Sequence, residues 1–198
     1  MTIQVRTGYI AGVRGLVVTP LLATGAIPTT PTRLGIRTTQ SVGIEREYIE
    51  GERITQRGGD VIQAQREGRD VLVGINLTIR DARMDARAAA IMGGGKVITE
   101  TVNLTVNIVG YDAPMLAEQA LQLPYMIEVF AENYQGQSVL QGYIRVTFPL
   151  CTGRIPNLSF TDNEWASPEF EIRVKENALL EIPVMRWELV DALPAELI

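Results

Sequence analysis

The sequence predicts a mainly β protein: an antiparallel β-sandwich or barrel with one short flanking α-helix, an extended N-terminal arm and a long β-hairpin. Three observations carry this expectation. Four separate segments alternate apolar and polar residues with a period of two, as strands do when one face is buried and the other wet. One short stretch has clear helical signals at both ends. The chain's 198 residues, 46% hydrophobic and 21% charged, suffice for a single domain that folds without disulfide or metal support.

Residues 1–33 are rich in Thr, Gly and Pro and end in Ile27-Pro28-Thr29-Thr30-Pro31-Thr32. Two prolines in four residues exclude a central strand or helix at that point and favour an extended arm. Its apolar residues, from Ile10 to Leu22, need cover, either as a first strand of the same domain or beneath a neighbouring subunit. Residues 41–70 are β-capable but alternate poorly, with turn signals at Gly51 and Gly58-Gly59-Asp60. They predict a charged, protruding hairpin. Exposing Ile44, Tyr48, Ile49, Ile54, Val61 and Ile62 is costly, so docking on another molecule is favoured over a free hairpin.

The alternating strands follow. Val71, Val73, Ile75, Leu77 and Ile79 share one face. Ile98, Val102, Leu104, Val106 and Ile108 read as a second half-buried strand, Leu140 to Phe148 as a third and Phe170 to Val174 as a fourth. Between the first two, Asp85 caps a helix over Ala86 to Met92, with Gly93 as its left-handed stop. About two turns are too few to stand alone, so this helix must lean on a sheet. A second helical stretch, Ala113 to Leu121, is placed to plug an open barrel end.

Composition excludes several functions. With no histidine there is no Ser-His-Asp or Cys-His catalysis and no His-ligated zinc. Cys151, the sole cysteine, reads as a small buried hydrophobe at a strand end. A net charge of −5 without any dense basic run argues against gripping nucleic acid. No apolar run approaches the roughly 18 residues of a membrane span. The stretch Gly15 to Ala26 is broken by Pro20 and is not expected to act as a cleaved signal, so a soluble, intracellular protein is expected.

Motifs with chemical potential fail on context. Gly93-Gly94-Gly95-Lys96 follows a helix and precedes a strand, the reverse of a phosphate-binding loop. The Asn-x-Ser/Thr sites at Asn76, Asn103 and Asn157 are attributed to chance. Carboxylate pairs such as Glu45 with Glu47, or Glu169 with Glu171, sit on strand faces with no convergent partners. No catalytic constellation, cofactor site or metal site is predicted.

Several segments, in order, resemble the phage tail tube proteins, a family that includes the inner tubes of contractile injection particles. The resemblance runs from about Gly12 to Leu193. It rests on Glu50-Gly51-Glu52-Arg53 with Arg57-Gly58-Gly59-Asp60, and on Gly74 to Asp81 leading into Met84-Asp85 and the helix closed by Gly93-Gly94. Phe148-Pro149-Leu150-Cys151-Thr152-Gly153 and the strand Pro168 to Val174 complete it. The N-terminal arm and Lys96 to Val109 fall outside any family pattern.

This resemblance implies subunits that form hexameric rings stacked into a hollow tube, located in the virion tail and assembled in the host cytoplasm. The protruding hairpin would make the inter-ring contact through Ile44, Tyr48, Ile49, Glu50, Glu52, Arg53, Ile54, Arg57 and Asp60. Glu45, Glu47, Glu128 and Glu132 would line the lumen. The implied partners are the subunit itself, a sheath or baseplate, a tape measure and a terminator, while DNA or an effector passes without specific binding or membrane insertion. Six copies at −5 give roughly −30 per ring, a field that repels phosphates and lets DNA slide. The alternatives are a monomeric β-barrel that binds a ligand between its sheets and a tail terminator or completion ring.

Overall fold

A computed structural model describes residues 8–58, 61–119, 122–135, 139–163 and 165–198. The strands are β1 (Tyr9–Pro20), β2 (Leu34–Ile36), β3 (Thr39–Ile49), β4 (Arg53–Gly58), β5 (Val61–Glu67) and β6 (Val71–Asp81). After helix α1 (Ala86–Gly93) come β7 (Lys96–Val102), β8 (Thr105–Asp112) and the single turn α2 (Leu116–Gln119). The chain continues through β9 (Tyr125–Gln135), β10 (Val139–Gly153), β11 (Glu169–Lys175), β12 (Arg186–Val190) and a 3-10 turn, Ala195–Leu197. The mainly β, antiparallel class is as the sequence predicts.

Eight strands form one antiparallel sheet in the order β2-β1-β9-β10-β11-β6-β3, with β12 also paired to β10. The long strand β10 makes this possible. One of its edges runs along β9; on the other, Tyr143–Thr147 pairs with β12 and Leu150–Gly153 with β11. The change of partner falls at Pro149, which has no N–H to give the ladder, and pairing with β9 slips there as well, between Phe148 and Cys151. The sheet thereby folds into two leaves. Leu16 and Val18 of β1, Ile127 of β9 and Phe148 of β10 face Ile75, Leu77 and Ile79 of β6 and Phe170, Ile172 and Val174 of β11, all buried in one core.

Helix α1 covers one end of that core with Ala88, Ala89 and Met92. Asp85 caps it, its Oδ1 accepting the Arg87 N–H at 2.8 Å. The helix runs one residue further than expected: Gly93 is its last residue and Gly94, at φ +78°, is the stop. Its C-terminal end presses on β10, where a Cβ at Gly153 would lie 2.2 Å from the Met92 carbonyl oxygen. The Tyr125 hydroxyl donates to that oxygen at 3.2 Å and the Gln122 amide at 2.9 Å. Thus α1, not the 113–121 stretch, plugs the end. Of the latter, whose residues 120 and 121 lie outside the described residues, the described part forms one turn with no buried residue.

Other expectations are corrected. Residues 9–20 are no arm: β1 is an internal strand between β2 and β9, and Leu16, Val17 and Val18 are fully buried. The prolines at 28 and 31 lie after it, in the link to β2. Val17 and Phe130, on the back of β1 and β9, are covered by Leu197, with Val190 and Leu193 beside it. Because both its faces are covered, β9 shows no alternation and escapes a period-two reading. The 98–108 strand is instead the hairpin β7–β8, exposed along nearly all its length, with its turn at Asn103 and Leu104. The apolar-polar rhythm continues through a two-residue turn, so periodicity alone cannot see it. Within 41–70, β3 belongs to the main sheet and only β4–β5 protrudes. Bulges in the β3–β6 pairing, at Thr39/Ser41 and Glu47/Tyr48, explain the poor alternation.

Two measurements check this packing. Hydrogen bonds from Arg87 hold the Asp85 carboxyl below its ordinary range, outweighing the burial that pushes it up. The cap's contribution is therefore complete above the unfolded carboxylate range and fades as pH falls through the lowered folded value. Asp85→Ala should cost about 1 kcal/mol at neutral pH, about 2–4 °C in Tm, with the deficit narrowing below roughly pH 4. Burial pushes the Cys151 thiol far above its ordinary range. A thiol reagent at pH 8 should therefore label no native protein and one thiol per chain after unfolding.

Candidate functional site

β3 ends the sheet. It is paired to β6 on one side, and among the described residues no strand pairs with its other edge. The open edge of this eleven-residue strand, where alternate residues turn their N–H and C=O outward, is a template for another strand. Beside this edge, at the far end of the β3–β6 pair, Tyr48 and Ile49 lie opposite Leu72 and Val71, and all four are exposed. Alternation puts the Tyr48–Leu72 pair on one face and the Ile49–Val71 pair on the other, so both faces next to the open edge carry exposed apolar side chains, as a contact surface does.

From the same end of β3–β6 the β4–β5 hairpin projects as its own two-stranded sheet. Its base is a narrow waist. The Gly68 N–H donates to the Glu52 carbonyl at 3.0 Å and the Gly51 N–H to Asp70 Oδ1 at 3.0 Å. A Cβ on Gly51 would stand 2.2 Å from the Gly68 carbonyl, so the two chain passes meet where only glycine fits. Of the expected inter-ring residues, Ile44, Tyr48 and Ile49 lie on β3 and are exposed. Glu50 and Glu52 flank the waist, and Arg53 opens β4, 3.5 Å from Glu67. Ile54 and Arg57 are placed on β4 by backbone register; Asp60 lies outside the described residues.

The outward face of β3, β6 and β11 is polar. Alternation puts Glu45 and Glu47 on it with Asn76 and Thr78, and with Glu171 and Arg173. These residues, with Thr152 and Arg154 at the end of β10, line an open cleft of about 590 Å³. Its carboxylates are matched by cations. Glu47 accepts from Arg173 at 2.8 Å, Glu171 from Arg154 at 3.4 Å, and Glu169 from Arg80 at 3.0 Å. Four acids (Glu45, Glu47, Glu169, Glu171) stand against four bases (Arg80, Arg154, Arg173, Lys175), so this face is charge-balanced rather than acidic.

Glu128 and Glu132 are elsewhere. Glu128 is 6% exposed on β9, where Arg33 Nη2 reaches it at 2.6 Å and Arg145 Nη1 at 3.3 Å. Arg33 also pairs with Glu196 at 3.1 Å, and Arg145 with Glu188, whose carboxyl that contact holds below its ordinary range. Glu128 is thus the hub of an internal network that ties β9, β10, β12 and the C-terminal turn together. This corrects the expectation that it lines a lumen. Glu132 is held by Arg14 at 2.5 Å and by the Tyr134 hydroxyl at 2.7 Å, on β9 rather than the β3–β6–β11 face. Sequence could not reveal the network, because its members are up to 163 positions apart (Arg33 to Glu196). Among the described residues no group of three or more His, Cys, Asp or Glu is placed to hold a metal ion.

Glu128→Ala should lower stability by roughly 2 kcal/mol in denaturant unfolding. That is below the roughly 3–5 kcal/mol of a fully buried pair, because the Arg33 and Arg145 side chains keep 32% and 35% of their surface wet. Glu45→Ala, on the open face, should change stability by less than about 0.5 kcal/mol.

No family model matches the chain, and no curated protein matches it. Among solved structures, it is similar to a chain in the cryo-EM structure of the anti-feeding prophage (AFP) baseplate, 6-fold symmetrised. The likeness covers 97% of this chain and 100% of that chain, at 11% identity and a TM-score of 0.38, a level that assigns neither family nor function.

Proposed function

We propose that this chain is a structural subunit of a phage or phage-like tail tube, forming hexameric rings that stack around a channel. The observation that carries the reading is the open β3 edge, flanked by exposed Ile44, Tyr48 and Ile49. Pairing it with the next copy around a rotation axis gives the β3 edge a partner and removes its hazard. The β4–β5 hairpin then projects beyond the ring as the inter-ring element, as the sequence resemblance implies. No enzymatic role is assigned.

The conduit works passively. Rotating copies about an axis that faces β3, β6 and β11 lines the bore with Glu, Arg, Thr and Asn. Arg80, Arg154 and Arg173 already hold carboxylates, so a passing phosphate must displace a partner to bind, and gains little by doing so. This replaces the expected acidic repulsion with a balanced, wetted wall. Sheath, baseplate, tape-measure and terminator proteins are the partners that such a tube requires.

Electron microscopy of concentrated protein should show long hollow filaments. A monodisperse monomer at every concentration would favour the ligand-binding barrel, and single rings that never stack would favour a terminator. Deleting residues 53–67 joins Glu52 to Gly68, already hydrogen-bonded, and should leave the β-sheet circular dichroism intact while abolishing stacking. Undiminished filament growth in that variant would remove the hairpin from the inter-ring role.

A further inference from the structure

We propose that the β7–β8 hairpin docks into an apolar cleft on a second copy of this chain, a contact that deepens the assembly reading and rests on it. The cleft, about 440 Å³, opens between the two leaves and is walled by Ile10, Ile44, Ile144, Val146, Trp187 and Leu189. Among the described residues no charged side chain lines it. Ile10 and Trp187 are 66% and 63% exposed, and Oδ1 of the buried Asn133 in its wall has no hydrogen-bond partner among the described residues. This surface is unfinished in a single subunit.

The hairpin has the matching chemistry. Between Val97 and Gly110 its only charged residue is Glu100. The register places Val106 and Ile108 on one face opposite Thr101 and Thr99, in line with Tyr111, which packs on the core at the base. At the tip Leu104 is 99% exposed and adopts φ +66°, beside Asn103 at φ +49°. A left-handed leucine costs roughly 1–2 kcal/mol, and glycine would serve that turn without the strain. An apolar side chain held there in water has no use within its own subunit. In a neutral cleft it fills space that no solvated charge would suit.

Placement decides the occupant. The hairpin is rooted beside α1, its Tyr111 hydroxyl donating to the Gly94 carbonyl at 2.8 Å, near Tyr125 at the start of β9. The cleft lies near Asn133, eight residues along the same strand, about 26 Å away. Donor and acceptor therefore sit at opposite ends of one molecule, and their contact between copies is head-to-tail and self-propagating. A hairpin of this size offers about half of the roughly 800 Å² per partner of a standard interface. It adds to edge pairing and does not hold a dimer by itself.

Cysteine cross-linking tests this, since buried Cys151 stays silent. Under mild oxidation, a mixture of Leu104→Cys and Ile10→Cys proteins should give a disulfide dimer, and the double variant a ladder. Either single variant cross-linking to itself as efficiently as the mixture, or no cross-link in the mixture, overturns the proposal. Microscopy of the same samples separates the two readings. Filaments without the cross-link sink this contact alone; cross-linked pairs without filaments keep it and sink the tube. In a Trp165→Phe background, Trp187 emission should shift to the blue on assembly and lose that shift in Leu104→Asp. A shift that persists in Leu104→Asp means another occupant and also overturns it.

Discussion

β10 is hydrogen-bonded to β9 along one edge and shared between β12 and β11 along the other, so the two leaves are a single sheet folded at Pro149. The core, the position of α1 and the placement of both outer faces follow from that fold. Two halves hinged on one strand can cover their shared apolar face, but nothing in the hinge closes the opposite side. There β3 ends one leaf while β12 ends part of the other. The same strand that builds the interior thus leaves an unpaired margin and a gap beside it, and a margin of this length is a hazard for a protein that remains single.

Electrostatics follow the same division. On the back of β9 and β10, carboxylates and guanidinium groups meet across long sequence distances and hold the C-terminal segment down. On the face of β3, β6 and β11, pairs between adjacent strands, and across β6 from β11 to β3, cancel locally. The first set is partly sequestered from water and contributes to stability. The second is screened and adds little, so it is better understood as surface finish.

The fold class, the Asp85 cap, the buried Cys151 and the exposed residues Tyr48 and Ile49 were legible in the sequence because each rests on local chemistry: alternation, a capping side chain, an apolar residue among charges. What was illegible depends on the third dimension. β1 and β9 are covered on two faces, so neither shows a clean alternation. Glu128 reads as one acid among 23, until Arg33 is brought to it from the link before β2 and Arg145 from the neighbouring strand β10. The division of Lys96 to Asp112 into a hairpin rests on two left-handed residues, neither of them the glycine that would have signalled a turn.

The glycine waist below β4–β5 has a practical consequence. Because the chain enters and leaves that excursion through one point of closure, whatever lies beyond it is decoupled from the core's folding. A foreign epitope can be spliced at the same joint, and the sheet beneath folds whatever the cargo.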